Sequence, residues 1–218
     1  MDRANRRLYI ESDGRIFLIE RDGWLDLPSE DEAPFDVETI ARLVPDDTWF
    51  CVPKIGRHPH EWYHKDQLAA LPVTERVRDA VHSTMPRVVV EGLCCRDGRI
   101  LLVKGNRGLT DGIWTLPGGF LRFGETPEAC VLREIREEVG MEASVLGLAS
   151  VQAKLGKRSR LHWTVLFYRV HAAGEPSPDP DEIAEARFVP IREAADLIQD
   201  ATMTRAIIAL LEEEFPSG

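Results

Sequence analysis

The stretch that decides the fold of this chain, residues 117–141, reads PGGFLRFGETPEACVLREIREEVGM. Thr126 and Pro127 are typical of a helix start, because a threonine hydroxyl caps the first turn and proline suits the first helical position. Gly140 can end the helix in the left-handed conformation that glycine tolerates. The pattern therefore predicts a helix from Pro127 to Val139, shortly after a glycine-rich corner.

The two faces of this predicted helix differ in chemistry. One face carries an apolar stripe suited to packing on a sheet. The stripe consists of Ala129, Leu132, Ile135 and Val139. Glu134, Glu137 and Glu138 are spaced i, i+3, i+4 and share the opposite face. Carboxylates crowded in this way repel each other, at a cost of roughly 0.2–0.5 kcal/mol per pair even when solvated.

A divalent cation would remove this repulsion, because hard cations bind carboxylate oxygens and add positive charge. We therefore expect Mg²⁺ (or Mn²⁺) at these glutamates. The glycines of Pro117-Gly118-Gly119 let the backbone approach a ligand closely, and the Gly118 carbonyl is a candidate ligand. Similar charge runs are common on solvated helices, so the glycine corner beside the run is what favours a metal site.

The surrounding segments predict a mixed sheet with helices on both faces. Asp97-Gly98 joins the apolar runs Arg87–Arg96 and Arg99–Lys104 into a hairpin before the corner. Further strands are predicted near Ser144–Ala153 and Leu161–Ala172, after the helix. The fold class is therefore α/β.

Composition limits the function classes. The 218 residues are 44% hydrophobic and 29% charged, which is typical of a globular protein with one or two domains. The net charge of -10 disfavours a general nucleic-acid binder. An acidic protein with an anionic substrate needs local positive charge, which a bound metal supplies. The four cysteines form no C-x-x-C pair, and no apolar run reaches the length of a signal peptide or a membrane span, so we expect a cytoplasmic protein with reduced thiols.

The segment around the corner matches the Nudix box, G-x5-E-x7-R-E-U-x-E-E-x-G-U, where U is an aliphatic residue. All nine defined positions are satisfied, by Gly119, Glu125, Arg133, Glu134, Ile135, Glu137, Glu138, Gly140 and Met141. Chance would produce such a match on the order of 10⁻⁹ times per start position. The resemblance covers roughly residues 87–215 and implies a Nudix-type α/β/α sandwich with a mixed β-sheet.

The resemblance also implies roles for these residues. The positions that match the family's metal ligands are the Gly118 carbonyl and the catalytic glutamates Glu134, Glu137 and Glu138. Arg133 would hold the glutamates by ion pairing, and Glu125 would brace the loop against the helix. Gly119 and Gly140 match the structural glycines. Nudix enzymes hydrolyse nucleoside diphosphates linked to another group, by attack of a metal-activated water on phosphorus and without a covalent enzyme intermediate.

The sequence also offers candidates for the general base and for the substrate contacts. Some family members use a glutamate in the loop before the last strand, where Glu182 is best placed, and Glu134 is the alternative base. Lys104 and Arg107 are candidate phosphate contacts, and Phe120 is a candidate for stacking on a base. A weaker set of phosphate candidates lies between two strands and consists of Lys154, Lys157, Arg158 and Arg160.

Residues 1–85 are interpreted as a separate small α+β domain before the Nudix-like unit at 86–218. Asp13-Gly14 stands between two apolar runs and predicts a hairpin. Asp36 is placed to cap a short helix, and Thr74 to cap a second one. This domain is either a degenerate Nudix-like copy or a dimerisation unit.

Two features of the first domain have alternative explanations. The run DGRIFLI at 13–19 resembles DGRILLV at 97–103, which fits either an old duplication or the common chemistry of Asp-Gly turns. His58, His60 and His64 have a spacing that could hold zinc, and a loop at a domain interface is the other interpretation.

The resemblance favours ADP-ribose or a sugar nucleotide as the substrate. The four-cysteine zinc module and the S-Q-P-W-P-F-P stretch of NADH pyrophosphatases are absent. The alternatives are a nucleoside triphosphate or NADH/dinucleotide pyrophosphatase, and a catalytically silent Nudix-fold ligand sensor, which the intact box disfavours. The expected partner is a nucleotide-type small molecule, without nucleic acid or membrane, and homodimers are frequent in the family.

Overall fold

The computed structural model describes residues 6–43, 47–57, 59–156 and 161–214. The chain divides into two compact units. The first comprises the described residues before Pro86 together with Gly156 and Leu161, and the second takes in Pro86–Leu155 and continues from His162. Each unit has a buried apolar cluster of its own. In the described ranges, no helix is long and apolar enough to cross a membrane.

The described part of the first unit contains seven strands and one α-helix. They are β1 (Arg7–Ser12), β2 (Arg15–Phe17), β3 (Ile19–Arg21), β4 (Trp24–Asp26), β5 (Val37–Leu43), β6 (Thr48–Pro53), β7 (Tyr63–His64) and α1 (Glu75–Thr84). Five strands form one sheet in the order β5-β6-β1-β2-β7, and β3 pairs with β4. Tyr9 of β1, Ile16 of β2 and Val77 of α1 are fully buried in one apolar cluster, so helix and sheet share this core.

The hairpin predicted at Asp13-Gly14 is confirmed, since β1 and β2 pair antiparallel. Both turn residues have positive φ, 51° and 70°, and Asp97 and Gly98 have nearly the same angles, 51° and 69°. Aspartate and glycine are among the residues that tolerate this conformation. The likeness between the two sequence runs therefore includes the same turn geometry.

The short helix predicted after Asp36 is wrong. Residues of this segment form β5, which pairs antiparallel with β6 from Val37 opposite Pro53 to Leu43 opposite Thr48. A helix of this length is marginal by itself, whereas the neighbouring strand β6 offers hydrogen-bond partners along one edge of the segment.

The second unit contains a mixed sheet and three α-helices. Its elements are β8 (Arg87–Arg96), β9 (Arg99–Gly105), β10 (Trp114–Thr115), β11 (Gly118–Phe120), α2 (Pro127–Val139), β12 (Glu142–Leu155), β13 (His162–Ala173), β14 (Ile183–Pro190), α3 (Ile191–Leu197) and α4 (Ala201–Glu214). The sheet has the order β10-β9-β8-β13-β12, with β11 on β8 and β14 on β9. Because β8 and β13 run parallel while the other pairs are antiparallel, the sheet is mixed as predicted.

The two faces of this sheet are covered by different helices. On one face, Val90 and Cys94 of β8 pack with Val131 and Ile135 of α2. Gly92 lies between them, and a Cβ there would come within 3.1 Å of Ile135, so the glycine lets α2 approach closely.

Helix α4 contacts β12 through Arg205, whose Nε donates to the Gln152 side chain at 3.0 Å. Gln152 of β12 pairs with Val165 of β13, and Val165 pairs with Val89 of β8, so these three side chains lie on one face of the sheet. Neighbouring residues of a strand point to opposite faces, so Val89 lies on the face opposite to that of Val90, which α2 covers. The second unit is therefore the α/β/α sandwich that the sequence predicts.

Candidate active site

The helix at the centre of the site begins and ends where the sequence predicts. The Thr126 hydroxyl oxygen accepts the Ala129 N–H at 3.2 Å, and Pro127 occupies the first turn. Gly140 has a φ of 63° and donates its N–H to the Arg136 carbonyl at 3.0 Å. These caps fix the position of every acidic side chain that the helix carries.

The glycine corner lies between β8 and this helix. Strand β11 pairs antiparallel with β8, which sets Gly118 opposite Glu91 and Gly119 opposite Val90. A Cβ at Gly119 would come within 2.5 Å of a Glu134 oxygen. Only glycine therefore lets the corner lie so close to the carboxylate of α2.

Arg133 connects the loop, the corner and the helix. Its Nε donates to Glu125 at 2.7 Å, and its Nη1 donates to Glu134 at 2.6 Å and to Glu137 at 2.9 Å. Its Nη2 donates to Glu125 at 3.0 Å and to the Phe120 carbonyl at 3.2 Å. One guanidinium thus holds three carboxylates and a strand carbonyl.

The carboxyl groups of the site have different proton affinities. Hydrogen bonds from Arg133 lower the pKa of Glu125 to about 2, with help from the Arg122 backbone N–H. Burial raises the pKa of Glu134, and Arg133 counteracts that effect. Burial also raises the pKa of Glu138 to about 8, although the Gly118 N–H donates to its carboxylate at 3.0 Å. Glu125 is therefore a stable anion, whereas Glu138 binds a proton easily when no cation is present.

Glu137 lies on the solvent side of the site. Its side chain is 42% exposed and pairs with Arg133 and, at 3.2 Å, with Arg122. The glutamates therefore extend from the buried corner to the surface in the order Glu138, Glu134, Glu137.

The loop before β14 reaches the end of α2 and brings Glu182 to the site. The Asp179 N–H donates to the Glu138 carbonyl at 3.0 Å, and the Glu182 N–H donates to the Asp179 carbonyl at 3.1 Å. The Glu182 charge is near enough to contribute to the raised pKa of Glu138. Its carboxylate pairs with Arg107, so two predicted site residues that are distant in sequence lie together.

Comparison with known proteins identifies the family. The model of the NUDIX domain matches residues 85–211, which is more than half of the chain. The chain belongs to the Nudix family. It is a Nudix hydrolase, with an additional unit before the Nudix domain.

Two named relatives are similar to about half of this chain. An ADP-ribose pyrophosphatase of Methanocaldococcus jannaschii is 33% identical over 115 residues, which cover 53% of this chain and 68% of the relative. A NAD-capped RNA hydrolase NudC of Vibrio atlanticus is 32% identical over 112 residues, which cover 51% of this chain and 40% of that protein. The chain thus spans less than half the length of the NudC relative.

Solved structures show the same fold. A MutT Nudix hydrolase from Burkholderia pseudomallei superposes with a TM-score of 0.51 at 30% identity, covering 58% of this chain and 98% of its own. The E. coli ORF135 protein has a TM-score of 0.52 at 24% identity, covering 63% of this chain and 98% of its own, and supports the fold alone.

The Nudix glutamates fit a hard divalent cation by their chemistry. They offer carboxylate oxygens, which Mg²⁺ and Mn²⁺ prefer, and the partial burial of Glu134 and Glu138 favours added positive charge. In the described ranges, however, no three His, Cys, Asp or Glu side chains converge as a formed metal cluster. Arg133 and the Gly118 N–H instead hold the carboxylates of Glu134, Glu137 and Glu138.

The predicted substrate contacts of the Nudix domain lie on different elements. Phe120 is 50% exposed, and its ring lies 5.3 Å from that of Trp163 at an angle of 34°. Lys104 lies on β9 opposite Trp114 of β10. Phe120 is thus outside the apolar core and accessible to a ligand, while Lys104 belongs to the strand that leads towards Arg107.

The weaker sequence candidates lie only partly within the described residues. Lys154 forms an ion pair with Asp200, and the other three members of that set, Lys157, Arg158 and Arg160, lie outside the described residues. His58 also lies outside them. His60 is exposed, and Nδ1 of His64 accepts the Asp66 N–H at 3.3 Å. In the part that the structure describes, these histidines form no metal cluster.

Sequence reasoning missed Glu91. It is only 6% exposed, although it carries a carboxyl group, and burial raises its pKa well above the ordinary value. The charge of Glu138 adds to this effect. The available signal was one acidic residue inside the apolar run VVVEGLCC of β8, where a strand buried on both faces normally has none.

Proposed function

We propose that this Nudix hydrolase is a pyrophosphohydrolase that uses Mg²⁺ or Mn²⁺ to cleave the phosphoanhydride bond of a nucleoside diphosphate linked to another group. ADP-ribose and sugar nucleotides are the favoured substrates. The observation that carries the proposal is the position of Glu134, Glu137 and Glu138 beside a corner where Gly119 has no room for a side chain. The similarity to a protein named ADP-ribose pyrophosphatase supports the substrate class.

In this proposal, the ligands of the cation are the Gly118 carbonyl and the carboxylates of Glu134, Glu137 and Glu138. When bound, the cation lowers the pKa of a water and neutralises charge on the phosphate oxygens. Arg133 keeps the glutamates in place, because its guanidinium is anchored to Glu125 and to the Phe120 carbonyl.

The proposed general base is Glu182, which would accept a proton from the attacking water. Its support is that the loop that carries it is hydrogen bonded to the end of α2, next to Glu138. The paired Arg107 is 64% exposed and would contact a substrate phosphate, which would free the Glu182 carboxylate. Glu134 is the alternative base. Loss of the acidic limb of the pH–rate profile in Glu182→Gln but not in Glu134→Gln would decide between them, because a general base acts only when it is deprotonated.

The remaining proposed contacts concern the rest of the substrate. Phe120 would stack on a base, since its exposed ring already lies beside Trp163. Lys104 would add positive charge on the side of Arg107.

A substrate panel tests the proposal. Purified full-length protein would be assayed with Mg²⁺ or Mn²⁺ on ADP-ribose, sugar nucleotides, NADH, dinucleoside polyphosphates and nucleoside triphosphates, with phosphate release read after phosphatase coupling. We expect metal-dependent turnover with ADP-ribose or a sugar nucleotide preferred, and none with EDTA. Absence of turnover across the whole panel would contradict the proposal.

A second candidate is hydrolysis of NADH or a related dinucleotide. It is favoured by the similarity to a protein named NAD-capped RNA hydrolase. Preference for NADH over ADP-ribose in the same panel would support it instead.

A cytoplasmic location and a homodimer also remain part of the proposal. β12 is an outer strand of its sheet and exposes apolar side chains. These are Leu146, Leu148, Val151 and Leu155. Light scattering coupled to size exclusion would measure the oligomeric state directly.

A further inference from the structure

Glu91 has a buried carboxyl group with one oxygen that lacks a hydrogen-bond partner. It lies on β8 directly opposite Gly118 of β11, and it is 6% exposed. In the described part of the chain, its Oε2 has no hydrogen-bond partner. A buried carboxyl oxygen without a partner destabilises a fold, so its presence requires an explanation outside the packing of the core.

The unpartnered oxygen points at the corner of the candidate active site. A Cβ built on Gly118 would come within 2.8 Å of Glu91 Oε2. The N–H of the same glycine donates to Glu138 Oε2 at 3.0 Å. Carboxylates from a strand and from a helix therefore approach one glycine from two directions.

The cationic groups of this region have other carboxylate partners. Arg133 pairs with Glu125, Glu134 and Glu137. Lys154 pairs with Asp200 at the start of α4. Among the ion pairs of the described residues, none involves Glu91, so its carboxylate is left to face the glycine corner.

We propose that Glu91 supplies an additional oxygen ligand, directly or through one coordinated water, to the divalent cation at the Gly118 corner. This inference rests on the proposed metal-dependent function. A hard cation accepts several oxygen ligands. The glutamates of α2 would supply ligands from one side of the corner, and Glu91 would supply one from β8. The buried position then serves cation binding at the expense of the metal-free fold.

The test is a calorimetric titration of the metal-free full-length protein with Mn²⁺ alone. Wild type would be compared with Glu91→Gln, which keeps the shape of the side chain. We expect Glu91→Gln to weaken Mn²⁺ binding about 10-fold or more, the range typical of residues that support a metal site. The melting temperature of the metal-free variant should equal or exceed that of wild type, and the rise in melting temperature on adding Mn²⁺ should shrink.

The control is Glu142→Gln, which removes the same charge from an exposed side chain paired with Arg136 at 3.1 Å. It should bind Mn²⁺ as wild type does. If Glu91→Gln does not fold, Glu91→Asp replaces it, and the shorter carboxylate should also weaken binding. Wild-type affinity in the folded Glu91 variant would overturn the inference.

The design separates two failures. If Glu138→Gln weakens Mn²⁺ binding and Glu91→Gln does not, the proposed metal site stands and the role of Glu91 is refuted. If wild type itself binds no Mn²⁺, the proposed function and the inference fail together.

Discussion

At the scale of single residues, identical carboxyl groups acquire different chemistry from their surroundings. Glu125 receives hydrogen bonds from Arg133, and its pKa falls to about 2. Glu138 lies on α2, and its burial raises its pKa to about 8. The first group is suited to bracing the structure as a permanent anion. The second repels its neighbours when it ionises, which is the condition that a bound cation relieves.

Replacement of Glu138 by glutamine tests the catalytic assignment. The variant should lose several orders of magnitude in metal-dependent turnover, because it loses an anionic ligand. The metal-free fold should be preserved, since a carboxyl group with a pKa of about 8 is mostly protonated at neutral pH and resembles an amide. The folded pKa lies above the ordinary value of 4.5, so ionised Glu138 destabilises the fold increasingly as pH rises from 4.5 to about 8.

The stability advantage of Glu138→Gln over wild type should therefore grow across that pH window. Steady-state assays on ADP-ribose and thermal melts at several pH values would measure both effects, with Glu142→Gln as the control. Turnover at the wild-type rate would remove Glu138 from the site.

Gly119 offers a second residue-scale prediction. An alanine Cβ would lie 2.5 Å from Glu134 Oε1, the end of a side chain that can move. Gly119→Ala should therefore displace Glu134 and weaken Mn²⁺ binding, while the melting temperature changes little. Mn²⁺ titration and a thermal melt would check this, and unchanged affinity would show that Glu134 is not a ligand.

At the scale of elements, the ends of the helices carry the contacts that position the site. Gly140 ends α2, and the Ser177 N–H then donates to the Val139 carbonyl at 2.8 Å, which starts the loop towards Glu182. Asp200 caps α4 by accepting the Thr202 N–H at 2.9 Å and the Met203 N–H at 3.2 Å.

Asp200→Ala should destabilise the fold by about 0.5–2 kcal/mol, the usual cost of losing a helix cap. Burial alone would raise the pKa of Asp200, but hydrogen bonds from Lys154 and Thr202 outweigh it and lower the pKa below 3.8. The contribution of Asp200 is therefore present above that pH and lost as pH falls further. Urea unfolding of both proteins at about pH 7 and about pH 3 would test this, and an equal difference at both values would contradict it.

At the scale of the whole molecule, the two units have separate apolar cores. The clusters around Tyr9 and around Ile135 share no residue. All the predicted Nudix site residues belong to the second unit.

A shortened chain that starts at Pro86 should therefore fold by itself and keep metal-dependent hydrolysis. Circular dichroism would check the cooperative unfolding, and the substrate panel would compare its preferences with those of the full chain. A changed preference would show that the first unit influences substrate choice. A change from dimer to monomer would show that the first unit is needed for dimerisation. Failure to fold would show that the Nudix unit depends on residues before Pro86.

The sequence by itself determined the local features that depend on short spacings. The helix from Pro127 to Val139, its caps and the hairpin turn at Asp13-Gly14 follow from side-chain periodicity and from residues that favour particular backbone angles. The helix predicted after Asp36 was wrong because short-range spacing did not determine the structure there. Its short pattern was ambiguous, and the partner strand β6 decided its conformation.

Only the tertiary structure decided which distant residues meet. Glu182 and Arg107 are 75 positions apart and pair because the loop before β14 is tied to the end of α2. Glu91 looked like one acidic residue in an apolar strand until β11 set Gly118 opposite it. The apolar run of β8 could signal that Glu91 is buried, but it could not show which residue lies opposite it. Strand register is a long-range property, and the proton affinity of a carboxyl group depends on the neighbours that register brings to it.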